Sequence, residues 1–372
     1  MNETEGWPTT PTQSNEKEIV PQESQIDTIY NLVASEFQVI DHFMEHGILT
    51  FHVQLGENSK EAFLRLVEKL EPLGLAPLLR KTEKQNVLRI IRKPPIKKSN
   101  ILVNLGLFFA TLATTFFTGY MISLGRGDLN PVDGGLIFMV TIIAILGVHE
   151  MGHKITAQKH GIEATFPYFI PGPPPAGTFG AVIMQKSLPP NRDALFDVGA
   201  SGPIAGFIAS AIAIFLGLPL STYSSVPPGT ATLPPPIFFW LVGPSLLPPP
   251  PPGWAPRPGE IPVIVLHPVA FAGWIGIVVT MLNLLPVGTL DGGHIAESLF
   301  KGKARTIFLI VSVIILLLTP FWLMLFFVLF FSMYKHPGPL DAVSSLSTKR
   351  KIIAVIVLVI FVLSMPMPSF LY

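Results

Sequence analysis

Long apolar runs occupy most of the chain from residue 101 onward, and they constrain its fold more than any other feature. A helix needs about 20 consecutive, mostly apolar residues to cross the hydrocarbon core of a bilayer. Charged residues make up only 13% of the 372 residues, whereas a soluble surface carries roughly 25–35%. The sequence therefore predicts a polytopic α-helical membrane protein, and it excludes a simple soluble enzyme and a disordered protein.

About seven membrane-spanning helices account for these runs. The run 306–334 is too long for one comfortable span and has Pro320 at its middle, so we predict two short segments joined as a hairpin. The predicted spans are residues 101–123, 136–158, 196–219, 262–288, 306–319, 321–334 and 351–369.

Lysine and arginine are concentrated in alternate connections between these spans. They cluster at residues 92–98, 301–305 and 349–351, whereas the connections 124–135 and 220–261 carry one arginine each. Cytoplasmic loops of membrane proteins carry the excess of lysine and arginine. The pattern therefore predicts a multi-pass protein of the cell membrane with its N-terminus in the cytoplasm.

The first part of the chain differs in character from the rest. Residues 1–22 are polar and patternless, which predicts a disordered tail. Residues 23–97 combine a helical pattern at 59–70 with short strand-like segments such as 51–55, which predicts a small cytoplasmic α+β domain. We interpret it as a β-α-β-β half of a ferredoxin-like unit, followed by a membrane domain over 98–372.

The absence of cysteine limits the chemistry that this chain can perform. Thiolate nucleophiles, iron–sulfur clusters and cysteine zinc sites are excluded, so any transition metal must be held by His, Asp or Glu. The net charge of +1 gives no reason to expect a nucleic-acid partner.

A His-Glu-Met-Gly-His sequence at 149–153 lies inside the second apolar run. His149 and His153 are four residues apart, so on a helix both imidazoles lie on one face and can bind one zinc ion. Glu150 lies on the adjoining arc and can act as general base on a water activated by zinc. Ionisable side chains cost about 2.5–3.5 kcal/mol each at the centre of a membrane helix, so three within five residues indicate a function.

The third metal ligand is expected in the fourth span, because hydrolytic zinc sites use three protein ligands and keep one open position. Asp291 is the acid at the end of this span, at a depth comparable with the histidines. Pro286 and Gly288, with the glycine pair at 292–293, should break the helix and line a cavity. We expect Asn283 and Pro286 to contact a peptide substrate there. The alternative role for Asp291 is a helix cap.

The segment 178–184, between the second and third spans, has the composition of a strand. We hypothesise that it lies near the zinc and pairs with an unwound substrate by strand addition, with Phe179 and Gly180 in contact with the substrate. The alternative is an ordinary interfacial loop.

Three motifs together resemble the site-2 protease family of intramembrane zinc metalloproteases, peptidase family M50. They are HEMGH at 149–153, GASGPIAGF at 199–207 and NLLPVGTLDGGH at 283–294. The resemblance covers about residues 100–370 and is closest to the prokaryotic and plastid branch, which ends in a segment similar to HPGPLD at 336–341.

The resemblance implies one zinc ion per chain, held by His149, His153 and Asp291, with Glu150 as catalytic base. It also implies cleavage of a peptide bond in or near a transmembrane helix of a protein substrate within the lipid bilayer. Many members carry Asn where this chain has Gly206, so a side-chain substrate contact from that position is missing here.

A membrane zinc-binding or transport protein, or a catalytically inactive protease-like scaffold, is the alternative function. Transporters usually offer several acidic or histidine sites along a path and often contain internal repeats. This sequence has one clustered site and no repeat, and it retains Glu150, which a non-catalytic site would not need. These features favour the protease.

Overall fold

The computed structural model describes residues 23–82, 85–93, 100–230, 232–300, 304–317, 325 and 337–367. The chain divides into two units, the first ending at Arg92 and the second beginning at Lys93. Three predicted features lie outside the described residues. They are the disordered tail at 1–22, the segment 318–334 of the predicted hairpin apart from Leu325, and His336.

The N-terminal unit contains a four-stranded antiparallel sheet and two helices. Its elements are α1 (Glu23–Ala34), β1 (Gln38–Glu45), β2 (Ile48–Gln54), α2 (Ser59–Leu70), β3 (Leu75–Lys81) and β4 (Asn86–Arg92). The strand order is β1-β2-β4-β3, so β4 lies between the two strands that α2 connects. The succession β2-α2-β3-β4 is the arrangement expected of half a ferredoxin-like unit, and β1 extends the sheet beside β2.

The core of this unit follows the two periodicities of the sequence. Alternate residues of the strands and helix-spaced residues of α2 point inward, because side chains alternate along a strand and repeat every 3.6 residues along a helix. The largest fully buried side chains are Phe51, Phe63, Leu66, Leu70, Leu79 and Leu88.

An ion-pair cluster joins the end of α1 to α2. Glu36 accepts hydrogen bonds from Arg65 at 2.9 Å and from Lys69 at 2.6 Å. Burial raises the pKa of Glu36, but the hydrogen bonds from Arg65 and Lys69 outweigh this effect and hold the pKa below its usual value. The cluster therefore stabilises the ionised form of Glu36 and the contact between the two helices.

Among the residues that the structure describes, three helices of the second unit are long and apolar enough to cross a membrane. They are α3 (Ile101–Ser123), α4 (Pro131–Lys159) and α5 (Arg192–Gly217). Many of their large apolar side chains are exposed, for example Leu105, Phe109 and Ile212. An apolar surface of this extent is typical of contact with lipid. The three helices overlap the first three predicted spans, while the count of seven spans stays a prediction.

Each of these three helices begins at an asparagine. The side-chain oxygens of Asn100, Asn130 and Asn191 accept hydrogen bonds from backbone N–H groups two or three residues further on. These bonds satisfy N–H groups that the first helical turn leaves unpaired. In α4, Pro131 follows the cap at the first helical position, where no N–H is needed.

A proline-rich segment follows α5, and a two-stranded antiparallel sheet joins its two ends. Strand β7 (Thr222–Val226) pairs antiparallel with β8 (Ile261–Val265), and the ten-residue helix α6 (Ile237–Leu246) lies between them in the chain. Arg126 donates hydrogen bonds to the carbonyls of Leu220 at 3.3 Å and Leu266 at 2.9 Å. It also binds Asp128, and this hydrogen bond holds the pKa of Asp128 below its usual value. Arg126 thereby ties both ends of the segment to the α3–α4 connection.

Helix α7 (Pro268–Asn283) is shorter than the predicted span 262–288. Residues 261–265 form β8 instead, because Pro262 and Pro268 interrupt helical hydrogen bonding and His267 caps α7. At its other end the chain forms turns over 284–290, as Pro286 and Gly288 predict.

The glycine pair at 292–293 does not break a helix, contrary to the expectation from the sequence. Both residues lie inside α8 (Asp291–Leu299). A Cβ atom on Gly292 would lie 2.1 Å from the carbonyl oxygen of Leu284, and one on Gly293 would lie 2.3 Å from that of Gly288. The glycines therefore allow α8 to fold tightly against the preceding turn.

Two further helices complete the described part of this unit. They are α9 (Ala304–Leu317) and α10 (Thr348–Ser364). Helix α9 overlaps the predicted segment 306–319, and α10 begins three residues before the predicted segment 351–369 and ends five residues before its end.

Helices α4, α5 and α7 pack closely around a common apolar core. A Cβ atom on Gly276 of α7 would lie 2.1 Å from the hydroxyl oxygen of Ser210 on α5, so only glycine permits this approach. Small residues allow close helix contact inside membranes, where van der Waals packing drives association. Core side chains from α4 and α7 include Phe138, Ile142, Ile145, Phe271 and Trp274.

Candidate metal centre

The two histidines of α4 lie one helical turn apart and face the same way. His149 and His153 are both buried, and their Nε2 atoms are 3.1 Å apart. The helical spacing of four residues produces this arrangement, as the sequence predicts. Both imidazoles therefore present one ring nitrogen to the same point.

Asp291 joins the two histidines from a different helix. It is the first residue of α8, directly after the turns that follow α7. Its two carboxylate oxygens lie 3.3 Å from Nε2 of His149 and 3.3 Å from Nε2 of His153. The helix break at 284–290 thus returns the chain so that a carboxylate meets the histidine pair.

One donor atom from each of the three residues lies within 4.8 Å of the other two, close enough together to hold one metal ion. Zinc ligands lie about 2.0–2.2 Å from the metal, so two ligands of a tetrahedron are separated by roughly 3.3 Å. The two imidazole nitrogens are 3.1 Å apart, and each lies 3.3 Å from a different oxygen of Asp291. His149, His153 and Asp291 could therefore hold a metal together while leaving a fourth position open.

Helix α5 orients the imidazole of His153. Nδ1 of His153 donates a hydrogen bond to the carbonyl oxygen of Val198 on α5 at 2.7 Å. A proton on Nδ1 leaves the lone pair of Nε2 available for a metal, and such a partner fixes both the tautomer and the ring orientation.

Two glycines of α5 make room for the histidine rings. A Cβ atom on Gly202 would lie 1.9 Å from Nε2 of His153, and one on Gly206 would lie 2.7 Å from Nδ1 of His149. The small residues of GASGPIAG are therefore part of the site's geometry. Position 206 faces an imidazole, which explains why a larger side chain is not accommodated there in this chain.

Glu150 lies beside the three candidate ligands. It is buried, and its Oε1 atom is 3.9 Å from Nε2 of His149. The backbone amide of Ile183, just after a strand described below, interacts with the Glu150 carboxylate. Glu150 is thus close to the donor atoms, and a backbone amide contacts its carboxylate there.

The segment that contains Phe179 and Gly180 forms a β-hairpin near this site. Strand β5 (Tyr168–Pro171) pairs antiparallel with β6 (Thr178–Val182). Thr114 of α3 donates a hydrogen bond to the carbonyl oxygen of Gly177 at 2.7 Å, which fixes the hairpin turn against α3. Phe179 is 66% exposed, and Gly180 has a φ of +106° that favours glycine.

Asn283 ends α7 close to the histidine pair. Its Nδ2 atom lies 3.4 Å from Nε2 of His149, so its amide can reach a group bound at the open position. Pro286 lies in the turns that separate α7 from α8 and is half-buried. Four residues were predicted to contact substrate. Of these, Asn283 has its side chain against His149, one of the three candidate metal-binding residues.

Sequence reasoning missed the backbone groups of Val198 and Ile183. Every residue offers a carbonyl and almost every residue an amide, so no sequence signal distinguishes these two. It counted Lys154 among the basic residues of the cytoplasmic side and gave it no role in the site, although a charged residue directly after the histidine motif inside an apolar run was a visible signal.

Comparison with known families agrees with this geometry. The family model of peptidase family M50 matches residues 137–239 and 259–326, which contain His149, Glu150, His153 and Asp291. Over these two segments the chain is similar to peptidase family M50.

The names of curated relatives describe zinc metalloproteases. "Probable zinc metalloprotease EGY1, chloroplastic" of Arabidopsis thaliana is 33% identical over 177 residues, which are 48% of this chain and 32% of that protein. "Probable zinc metalloprotease EGY3, chloroplastic" of Oryza sativa subsp. japonica is 31% identical over 218 residues, which are 55% and 36% of the two chains. The chain thus spans about a third of the length of the curated relatives it matches. No solved structure matches it.

Proposed function

We propose that this chain is a zinc metalloendopeptidase that cleaves a peptide bond in or near a membrane-spanning segment of a protein substrate. The observation that carries the proposal is the convergence of donor atoms of His149, His153 and Asp291 within 4.8 Å of one another, with Glu150 beside them. The names of the relatives, which describe zinc metalloproteases, support the same reaction class.

Each residue of the site has a distinct task in this proposal. His149, His153 and Asp291 hold the zinc ion, which when bound supplies Lewis acidity that activates water at neutral pH. Glu150 accepts the proton of the attacking water and delivers it to the nitrogen of the leaving amine. The side-chain amide of Asn283 donates a hydrogen bond to the oxygen of the cleaved carbonyl, where negative charge develops.

The β5–β6 hairpin supports a mode of substrate binding. A transmembrane helix bonds its own backbone groups, so it must unwind before a peptide bond can be hydrolysed. In the proposal an unwound substrate adds to β6 as a further strand, with Phe179 and Gly180 in contact and Pro286 lining the cavity. A photocrosslinker at position 179 should capture substrate, and an absence of crosslinks across 178–187 would rule out strand addition.

The proposal includes a membrane location. Multi-pass insertion in the cell membrane with the N-terminal unit in the cytoplasm is supported by the distribution of lysine and arginine and by the three long apolar helices. The names of the relatives place those proteins in the chloroplast, and this location is not transferred to the present chain.

The central test replaces the proposed base by its uncharged isostere. Glu150→Gln should keep zinc and fold but lower cleavage of a membrane-embedded substrate by at least about a hundredfold, in line with the contribution of general acid–base catalysis. Glu163→Gln is a matched control, because Glu163 is an exposed glutamate of the same unit.

Cleavage by Glu150→Gln at the wild-type rate would refute the mechanism. Zinc transport by both wild type and Glu150→Gln, without cleavage, would favour a membrane zinc-binding or transport protein. Zinc binding without either activity in the wild type would indicate an inactive scaffold.

A further inference from the structure

The proposed mechanism assigns no role to Lys154, a buried lysine that directly follows a residue of the candidate metal centre. It follows His153 on α4 and is only 6% exposed. Its ammonium nitrogen lies 3.1 Å from the centre of the Phe166 ring. In the part of the chain that the structure describes, Lys154 makes no ion pair.

Lys154 and Glu150 lie on the same face of α4, four residues apart. The separation along the helix axis is about 5.4 Å, one helical turn. An exposed Glu–Lys pair at this spacing would normally form an ion pair. Here Glu150 instead lies beside His149 while Lys154 lies under an aromatic ring, so the two charges serve different partners.

The residues just before β5 and just after β6, here called the two arms of the hairpin, cover this face of α4. Thr165 donates its backbone N–H to the carbonyl oxygen of Met184 at 3.0 Å, so Phe166 and Ile183 are the next residues in the two arms. Phe166 contacts Lys154, and Ile183 interacts with Glu150. The segment proposed to receive the substrate therefore passes both residues.

The ring of Phe166 is a weak partner for a buried ammonium. A cation–π contact with phenylalanine stabilises an ammonium less than a carboxylate partner does, and a charge shielded from water without a counter-ion is unfavourable. Phe166 covers the ammonium but is itself 67% exposed, so a rotation of its side chain would open a path for an incoming group. A carboxylate would provide the partner that the ammonium lacks.

We propose that Lys154 is a specificity residue that binds a carboxylate of the substrate close to the cleaved bond; this inference rests on the proposed protease function. An extended strand advances about 3.3 Å per residue, so one helical turn of 5.4 Å corresponds to one or two substrate residues. The carboxylate belongs to an Asp or Glu side chain at that distance.

The experiment uses the full chain reconstituted in phosphatidylcholine vesicles with synthetic single-span peptides. Mass spectrometry first locates the bond that the wild type cleaves. Matched peptides then carry Glu, Gln or Lys one or two residues from this bond on either side, and a further pair ends there as a free carboxylate or an amide. Initial rates give KM and kcat for the wild type, Lys154→Met, Lys154→Glu and the exposed-lysine control Lys159→Met.

We expect the wild type and Lys159→Met to prefer one carboxylate peptide over its neutral match by roughly tenfold or more in KM, with kcat little changed, as for a charge-assisted hydrogen bond. Lys154→Met should abolish the preference, and Lys154→Glu should transfer it to the Lys peptide. A preference confined to the peptide that ends as a free carboxylate would indicate exopeptidase cleavage and would overturn the inference.

Two results would overturn the inference while leaving the proposed function intact. One is a wild type that cleaves all matched peptides equally. The other is an equal loss by Lys154→Met across all peptides, which would mean that the lysine positions Glu150 or supports the fold. If the wild type cleaves no peptide, the proposed function fails, and the affinity of Glu150→Gln for single-span peptides with Glu, Gln or Lys at successive positions still tests the preference.

Discussion

At the scale of single residues, the candidate site depends on two glycines as much as on the side chains that could bind metal. The rings of His149 and His153 fill the space that a Cβ atom would take at Gly206 and Gly202. Helix α5 therefore serves as the wall against which the imidazoles rest, and the carbonyl of Val198 orients one of them. The position of a metal ligand is thus set by the helix opposite it.

Gly202→Ala should disrupt the metal site without unfolding the protein. The added methyl group would lie 1.9 Å from Nε2 of His153, so the ring must move away from Asp291. Loss of ligand orientation costs about 10- to 100-fold in metal affinity, which competition with a chromophoric chelator can measure. Gly147→Ala is the control, because nothing lies within 4 Å of that Cβ position; equal zinc affinity in both variants would contradict this account.

Much of the candidate site was predictable from residue types and spacing. The i, i+4 histidines follow from helical geometry, and Asp291 follows from the need for a third ligand on an apolar chain without cysteine. The amide of Ile183 and the carbonyl of Val198 were not predictable, because their roles arise from tertiary packing of groups that nearly every residue possesses.

At the scale of elements, α10 is joined to the metal-site helices by charge at its first turn. Arg350 donates hydrogen bonds to Asp197 at 2.7 Å and to Asp193 at 2.8 Å, both on α5. His160, at the end of α4, also contacts Asp197 at 2.9 Å. One cluster therefore connects α4, α5 and α10.

Arg350→Met should lower thermal stability through this cluster. Removal of several charge-assisted hydrogen bonds that are mostly shielded from solvent costs about 1–3 kcal/mol, which corresponds to a decrease of several degrees in Tm. Differential scanning fluorimetry in detergent measures the change, with the exposed neighbour Lys349→Met as control. A Tm equal to that of the control would show that the cluster contributes nothing to stability.

Element boundaries in the second unit were predictable where local chemistry sets them. Asparagine caps begin α3, α4 and α5, and Pro286 and Gly288 lie where α7 has ended. The strand β8 and the helical glycines of α8 were not predictable, because β8 depends on its partner β7 and the glycines on contact with a distant carbonyl. Apolar composition alone does not distinguish these outcomes.

At the scale of the whole molecule, the open question is how often and in which direction the chain crosses the membrane. Three described helices satisfy the length and composition of a span, and the lysine and arginine clusters predict the sides of their connections. The α+β unit was recognisable because its periodicities are those of soluble structure. The number of spans was less certain, since short apolar segments also fit re-entrant or interfacial positions.

Single cysteines can test this topology, because the natural chain contains none. Ser35→Cys and Lys159→Cys should react with a membrane-impermeant maleimide only after the bilayer of intact cells is opened, whereas Thr230→Cys should react beforehand. This outcome follows from placing the basic connections in the cytoplasm. Labelling of positions 159 and 230 from the same side would contradict the predicted orientation.

The zinc content of purified full-length chains tests the central claim most directly. Elemental analysis should find about one zinc per chain in the wild type and in Glu150→Gln, as expected for a hydrolytic site with three protein ligands. Asp291→Ala should bind almost none, while Asp133→Ala, an exposed acid at the opposite end of α4, should match the wild type. A folded Asp291→Ala chain that keeps its full zinc content would contradict the proposed metal centre.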